Sequence, residues 1–155
     1  MRANICTVQW RLGNYDLALA ACDRALEILE AEQGPDHINV AGVLSQKSNV
    51  LRELGRSDLA LSLDKRCLAI RERALGPDHT YVGWALTSLG LSHGLLGDRE
   101  TAKPLLERAL LIQEASLGPD SVAVSFPLQQ LAKIKNAEGD REGAIEMFER
   151  ALAIR

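Results

Sequence analysis

The chain has 155 residues and a net charge of −3, from 18 basic and 21 acidic residues, with 46% hydrophobic and 25% charged side chains. This is a globular composition with enough chain for a proper core. The charge balance argues against nucleic acid as a partner, which calls for a basic excess. The segment from Met1 to Cys6 has no apolar signal core, and the longest apolar run, Leu17 to Cys22, is far too short to span a bilayer. A cytoplasmic location without membrane contact is therefore expected. Three cysteines, an odd number without paired spacing, argue against a disulfide framework and for a reducing compartment.

The chain repeats itself at a step of 42 residues. Gly34-Pro35-Asp36-His37 returns as Gly76-Pro77-Asp78-His79 and as Gly118-Pro119-Asp120-Ser121. Gly13, Gly55, Gly97 and Gly139 keep the same step, as do Ala18, Ala60, Ala102 and Ala144. Arg24-Ala25-Leu26 returns as Arg66-Cys67-Leu68, Arg108-Ala109-Leu110 and Arg150-Ala151-Leu152. Units of this length are the signature of a repeat architecture. Their boundaries fall near 1–36, 37–78, 79–120 and 121–155.

Each unit reads as two helices. The apolar spacing predicts helices over 3–12, 15–32, 38–54, 57–74, 80–96, 99–116, 122–138 and 141–155. Val40, Val43, Leu44, Val50, Leu51 and Leu54 form the apolar side of the third. Leu59, Ala60, Leu63, Cys67, Leu68 and Ile70 form that of the fourth. Glycine ends each helix, and Asp78 is the expected cap of the helix after the second Gly-Pro turn. Short connections make neighbours antiparallel. Pro127 falls inside the seventh helix, so a late start near Phe126 with Ser125 as cap is expected there. Pro104 should loosen the start of the sixth helix without breaking it. Lys47 takes a slot otherwise held by Ile5, Leu89 and Leu131, which predicts local looseness.

Leu86-x-x-Leu89-Gly90-x-x-His93-x-x-x-Gly97, continued by Ala102 and Ala109, resembles the tetratricopeptide signature of large, small and turn residues. Small residues share one slot at Cys6, Ser48, Gly90 and Ala132, where two helices would touch. The longer second helix and the Gly-Pro-Asp-His turn are similar to the long units of kinesin light chains and of bacterial tetratricopeptide regulatory proteins. The resemblance implies an all-α, right-handed superhelical solenoid of about four antiparallel helix pairs. Four full units would need more than 155 residues, so the chain reads as an array truncated at both ends, whose raw ends could stack on other copies.

Little in the sequence points to catalysis. His37 and His79 stand in turns and read as local packing or capping residues, and His93 as packing. Cys6 and Cys67 occupy small-residue slots and read as core, and the slot of Cys22 is permissive. No nucleophile constellation stands out, the glycines follow the repeat rather than a phosphate loop, and no metal or cofactor is expected.

What remains is surface. The resemblance implies that the first helix of each unit lines a concave groove that holds extended peptides. Carried over slot by slot, the lining residues are Thr7, Trp10 and Arg11, with Ala3 beside them; Ser45, Asn49 and Arg52; Trp84, Thr87 and Leu91; and Phe126, Gln129, Lys133 and Asn136. Asn49, Thr87 and Gln129 would bond a peptide backbone, Trp84 and Phe126 would anchor an apolar side chain, and Asn49, Thr87 and Lys133 are expected to be exposed. Arg11, Arg52 and Lys133 outweigh Glu53, which favours an acidic segment or a C-terminal carboxylate. The expected function is a non-catalytic protein-interaction scaffold. A structural spacer or self-association segment, or a sensor arm of a larger enzyme or transcription regulator, are the alternatives.

Overall fold

The computed structural model describes residues 3–154, with side chains from Ile5 onward. Met1, Arg155 and the side chain of Ala3 lie outside the described residues. The helices are α1 (Ala3–Arg11), α2 (Tyr15–Gln33), α3 (Ile38–Glu53), α4 (Ser57–Leu75), α5 (Thr80–Leu95), α6 (Arg99–Leu117), α7 (Val122–Ala137) and α8 (Arg141–Ala153), with no strand among the described residues. All eight expected helices are present, in an all-α fold. The chain divides into two compact units, residues 1–75 with α1–α4 and residues 76–155 with α5–α8.

In the first unit α1 packs on α2, α2 on α3 and α3 on α4, and the odd-numbered helices α1 and α3 also touch. The second unit repeats this with α5 to α8, including contact between α5 and α7. Ala18, Ala60, Ala102 and Ala144 are all buried, as the close-contact reading requires. Leu54 and Leu59 depart from the expected apolar faces. They are 38% and 40% exposed, because they sit at the hairpin tip, where the helices have no further neighbour to bury them.

The turn chemistry explains the exact repeat. Gly55 takes a φ of 72°, and its N–H donates to Arg52 O at 2.9 Å while the next N–H, from Arg56, reaches Leu51 O at 2.8 Å. This pair of bonds satisfies the last carbonyls of α3 and needs a left-handed residue, which glycine supplies without a steric penalty. The same bonds recur at Gly13, Gly97 and Gly139. The Gly-Pro turns are closed from a neighbouring helix. Arg66 donates to Pro35 O at 2.7 Å and pairs with Glu30, and Arg108 donates to Pro77 O at 2.9 Å. Arg150 donates to Pro119 O and pairs with Glu114. The recurring arginine therefore ties α4, α6 and α8 each to the turn that precedes its hairpin.

Four expectations are corrected here. The caps of α3 and α5 are His37 and His79, whose Nδ1 atoms accept from Asn39 N at 3.2 Å and Tyr81 N at 3.1 Å; Asp78 is not the cap. Ser121 fills the same role for α7. That helix starts at Val122 and runs through Pro127 rather than starting late. Ser125 is not its cap; its hydroxyl donates back to Val122 O at 2.7 Å. Ala123, Val124, Pro127 and Leu128 are all buried, and packing this first turn outweighs the missing proline donor, which costs about 3 kcal/mol in an unsupported helix. Pro104 likewise leaves α6 continuous from Arg99. Lys47 is not a loose point, since it forms an ion pair with Asp23 across α2 and α3.

The fourth correction concerns the cysteines. Cys6 and Cys22 form a disulfide between α1 and α2, with Cα atoms 5.4 Å apart and both residues fully buried. The contact lies where the hairpin brings one slot of each helix together. One repeat on, Ser48 and Asp64 meet in the same two slots, the Ser48 hydroxyl donating to Asp64 Oδ1 at 2.6 Å. Two repeats on, Gly90 makes room for Leu106, whose Cγ would lie 2.7 Å from any added Cβ. Cys67 remains a free, buried thiol that donates to Ala41 O at 3.3 Å, as a core residue does.

Asp64 is 1% exposed and is compensated by Arg52, whose Nη1 donates to Asp64 Oδ2 at 2.7 Å and to Ser48 Oγ at 2.8 Å. Removing one member of such a buried pair leaves the other charge desolvated. Asp64→Ala is expected to destabilise the chain by about 3–5 kcal/mol in urea unfolding, far beyond an exposed carboxylate such as Asp58.

Candidate functional site

The expected interaction residues fall on the odd-numbered helices, as anticipated, but they are not equally available. In the first unit Thr7 and Trp10 are half-buried on α1, and Arg11 is exposed. On α3, Ser45 and Asn49 are half-buried. Arg52 is turned inward onto Asp64, with its side chain 8% exposed, and also donates to Asn49 Oδ1. Its charge is balanced within the fold, so it contributes little to a basic surface.

The second unit brings more of them together. Trp84 of α5 and Phe126 of α7 pack ring against ring, with centroids 5.8 Å apart and planes tilted by 57°. Phe126 still exposes 41% of its surface, so the pair is both packed and accessible. Thr87 departs from expectation: it is buried, donates to Gly83 O at 3.0 Å and accepts from Gln113 Nε2 at 3.3 Å. A threonine hydroxyl that bonds the carbonyl one turn back is satisfied inside its own helix and not offered to a ligand. Gln129 is half-buried, and Lys133 and Asn136 are exposed.

Beside them lies a pocket of about 200 Å³ with α5 on one side and α7 on the other. Gly90, Leu91, Gly94 and Leu95 line the α5 side, and Gln130, Lys133, Ile134 and Ala137 the α7 side. Arg99, at the start of α6, joins the lining. Leu91 and Lys133 were expected on this surface; Arg99 and Gln130 were not. Gly94 belongs to neither of the two turn glycine series, and a Cβ added there would meet nothing within 4 Å. It leaves open the space between a leucine-rich wall and two cations. The pattern Gly90-x-x-x-Gly94 is the sequence signal for that opening; Arg99 had none, because only the hairpin turn carries it to the pocket.

His93 is not simply a packing residue. Its Nδ1 lies 3.0 Å from Asp98 Oδ2, and Asp98 Oδ1 accepts from Thr101 N to cap α6. One repeat on, Lys135 donates to Asp140 Oδ2 at 2.5 Å, and Asp140 caps α8 through Gly143 N. The bonds from Thr101, with a smaller contribution from His93, hold the Asp98 carboxyl below its ordinary value of 3.8. Lys135 does the same to Asp140, while Asp140 holds the Lys135 ammonium above 10.5. These groups hold the hairpins together. Among the described residues no cluster of His, Cys, Asp and Glu could hold a metal ion, and no helix is long and apolar enough to cross a membrane.

The tetratricopeptide repeat family model matches residues 1–72, 39–110 and 89–155, which together span the chain. The chain is a tetratricopeptide repeat protein. Such repeats generally mediate protein–protein interactions and are typically non-catalytic scaffolds. Among solved structures, BtubC (BKLC) from P. vanneervenii is similar, with a TM-score of 0.87 at 22% identity over 99% of this chain. The tetratricopeptide repeat chain spans 61% of the length of BtubC. A kinesin light chain-like protein of nearly identical TPR-like repeats from Podosopora anserina matches with a TM-score of 0.75 at 20% identity, over 99% of this chain and 72% of its own. A single-residue variant of that protein matches with a TM-score of 0.78, also at 20% identity and with the same coverage. At these identities the likeness is one of fold. No curated protein sequence matches the chain.

The Lys135–Asp140 pair sets a pH dependence. The depressed carboxyl contributes stability that is present above 3.8 and lost as pH falls through its lower folded value. The raised ammonium contributes stability that is present below 10.5 and lost as pH rises through its higher folded value. Asp140→Asn, which keeps a capping oxygen, is expected to be modestly less stable than the natural chain at neutral pH. The gap in melting temperature should close as acidification carries the pH below 3.8 and through the lowered range of the Asp140 carboxyl.

Proposed function

We propose that this chain is a protein-interaction module that holds a peptide segment of a partner on the face of its odd-numbered helices, without catalysis. The observation that carries the reading is the pocket beside α5 and α7. Leu91 and Leu95 offer an apolar wall, Lys133 and Arg99 offer two cations, and Gly94 keeps the space open. This chemistry suits a segment with an apolar side chain next to a carboxylate, either an acidic residue or a free C-terminus. Trp84 and Phe126 extend the apolar contact along the same two helices. Gln129 and Asn136 supply amides for the backbone of such a segment in the second unit, and Asn49 and Ser45 are the corresponding polar groups on α3 of the first unit, taken by itself. Trp10, Thr7 and Arg11 are the equivalent positions on α1. The net charge of −3 supports a protein partner over nucleic acid, and a cytoplasmic setting is part of the same reading.

The test uses a labelled peptide with several aspartates that ends in leucine and a free carboxylate, followed by fluorescence anisotropy. Lys133→Ala and Arg99→Ala are each expected to weaken binding several-fold and to reduce its salt dependence. Gly94→Leu fills the pocket while improving helix propensity, so it should abolish binding without lowering the melting temperature. Binding that survives all three variants would overturn the reading. A spacer or stacking role would then be favoured, for which Ile145 and Leu152, 55% and 69% exposed on α8, offer an apolar stripe at helical spacing.

A further inference from the structure

We propose that Cys6 and Cys22 are a reversible oxidation site, a redox-controlled staple that fixes α1 on α2 when closed and lets α1 come away when open. The inference rests on how little else holds α1. Among the side chains described on that helix, Cys6 alone is buried. Ile5 and Val8, which would otherwise anchor it, are 52% and 51% exposed. A helix of α1's length is unstable by itself in water, so its order depends on what it is attached to. The disulfide joins the middle of α1 directly to α2, and α1 packs on α3 as well. Opening the bond would therefore uncover part of α3.

The repeat register provides an independent reason to regard this bond as a special device. The other units tie or fill the same two slots with groups that do not respond to redox conditions. They use Ser48 with Asp64 in the second and Gly90 with Leu106 in the third. Only the first places two thiols there. The third cysteine is not a competitor. Cys67 is buried in another hairpin and donates to Ala41 O, and burial pushes its thiol up to about 11, which keeps it protonated and unreactive.

The chemistry is thiol–disulfide exchange with a small-molecule disulfide such as oxidised glutathione. When α1 opens transiently, one cysteine thiolate attacks the disulfide, forms a mixed disulfide and expels one glutathione thiolate. The second cysteine thiolate then attacks the protein sulfur of that mixed bond and expels the other. Two protein thiols lose two electrons and two protons, and the oxidant is reduced to two thiols. Excess reduced glutathione or dithiothreitol runs the sequence backwards.

The full chain is equilibrated with oxidised glutathione or with dithiothreitol, then studied by intact mass, peptide mapping and amide hydrogen exchange. Oxidation should lower the mass by about 2 Da, link the Cys6 and Cys22 peptides and leave Cys67 as the single titratable thiol. Reduction should raise exchange over residues 5–11 by about tenfold or more, with α5–α8 unchanged. A Cys6→Gly/Cys22→Leu variant, which borrows the third unit's solution, should show exchange in α1 that ignores the reductant. The proposal is overturned if three free thiols persist under oxidation, if Cys67 is found in the linkage, or if α1 exchanges equally in both states. The same holds if the variant responds to reductant as the natural chain does. None of these outcomes depends on the peptide-binding reading.

Discussion

Close contact between the two helices of a unit, at one slot on each, is the constraint on which the rest of this structure depends. The two slots are 16 residues apart wherever they are bonded, as Cys6–Cys22 and as Ser48–Asp64. A hairpin of long helices can pair its faces only if that point is filled without a void or a clash. The chain meets the requirement with a covalent bond, with a buried polar network compensated by Arg52, and with a glycine that admits a leucine. The same geometry is thus reached by three chemistries with different costs. The polar version needs every member, the glycine version needs a residue without a side chain opposite Leu106, and the covalent version depends on surroundings that keep it closed.

Much of the fold was legible in the sequence because turn and contact positions leave few residue choices. A left-handed C-terminal residue calls for glycine, and two helices in contact call for alanine, so both series repeat without drift. The recurring arginine was visible as a pattern but not as a contact. Its role needs the carbonyl of the turn that precedes its own hairpin, which only folding brings to it. The disulfide was missed because cysteine spacing was weighed along the chain, whereas the relevant distance is across a hairpin. Slots one repeat apart place Cys6 with Ser48 and Cys22 with Asp64, but that alignment does not say that the two slots touch; the folded hairpin does. The helix through Pro127 was missed for the opposite reason. A local penalty was read alone, and the burial of Val124 and Leu128 around it overrides that penalty.

The interaction surface was less legible. Helical spacing assigns residues to a face, but exposure within that face depends on neighbours. Arg52 and Thr87 occupy expected lining slots, yet one neutralises a buried carboxylate and the other bonds its own helix. Arg99 and Gln130, outside those slots, reach the pocket from the start of α6 and from α7. The effect is to move the basic character from the first unit toward Lys133 and Arg99. It also makes Gly94, whose absent side chain leaves the space free, as important as any group that is present.

The central claim is that partners engage the odd-numbered helices and not the even-numbered ones. A photoreactive phenylalanine analogue placed at position 126 on α7, and separately at position 111 on α6, tests it directly in native extract. Phe126 is 41% exposed and Leu111 is 67% exposed, so simple accessibility favours the second site. The account predicts a discrete partner crosslinked from position 126, lost on adding excess acidic peptide, and none from position 111. A partner captured only from position 111, or equally from both and indifferent to the peptide, would contradict it.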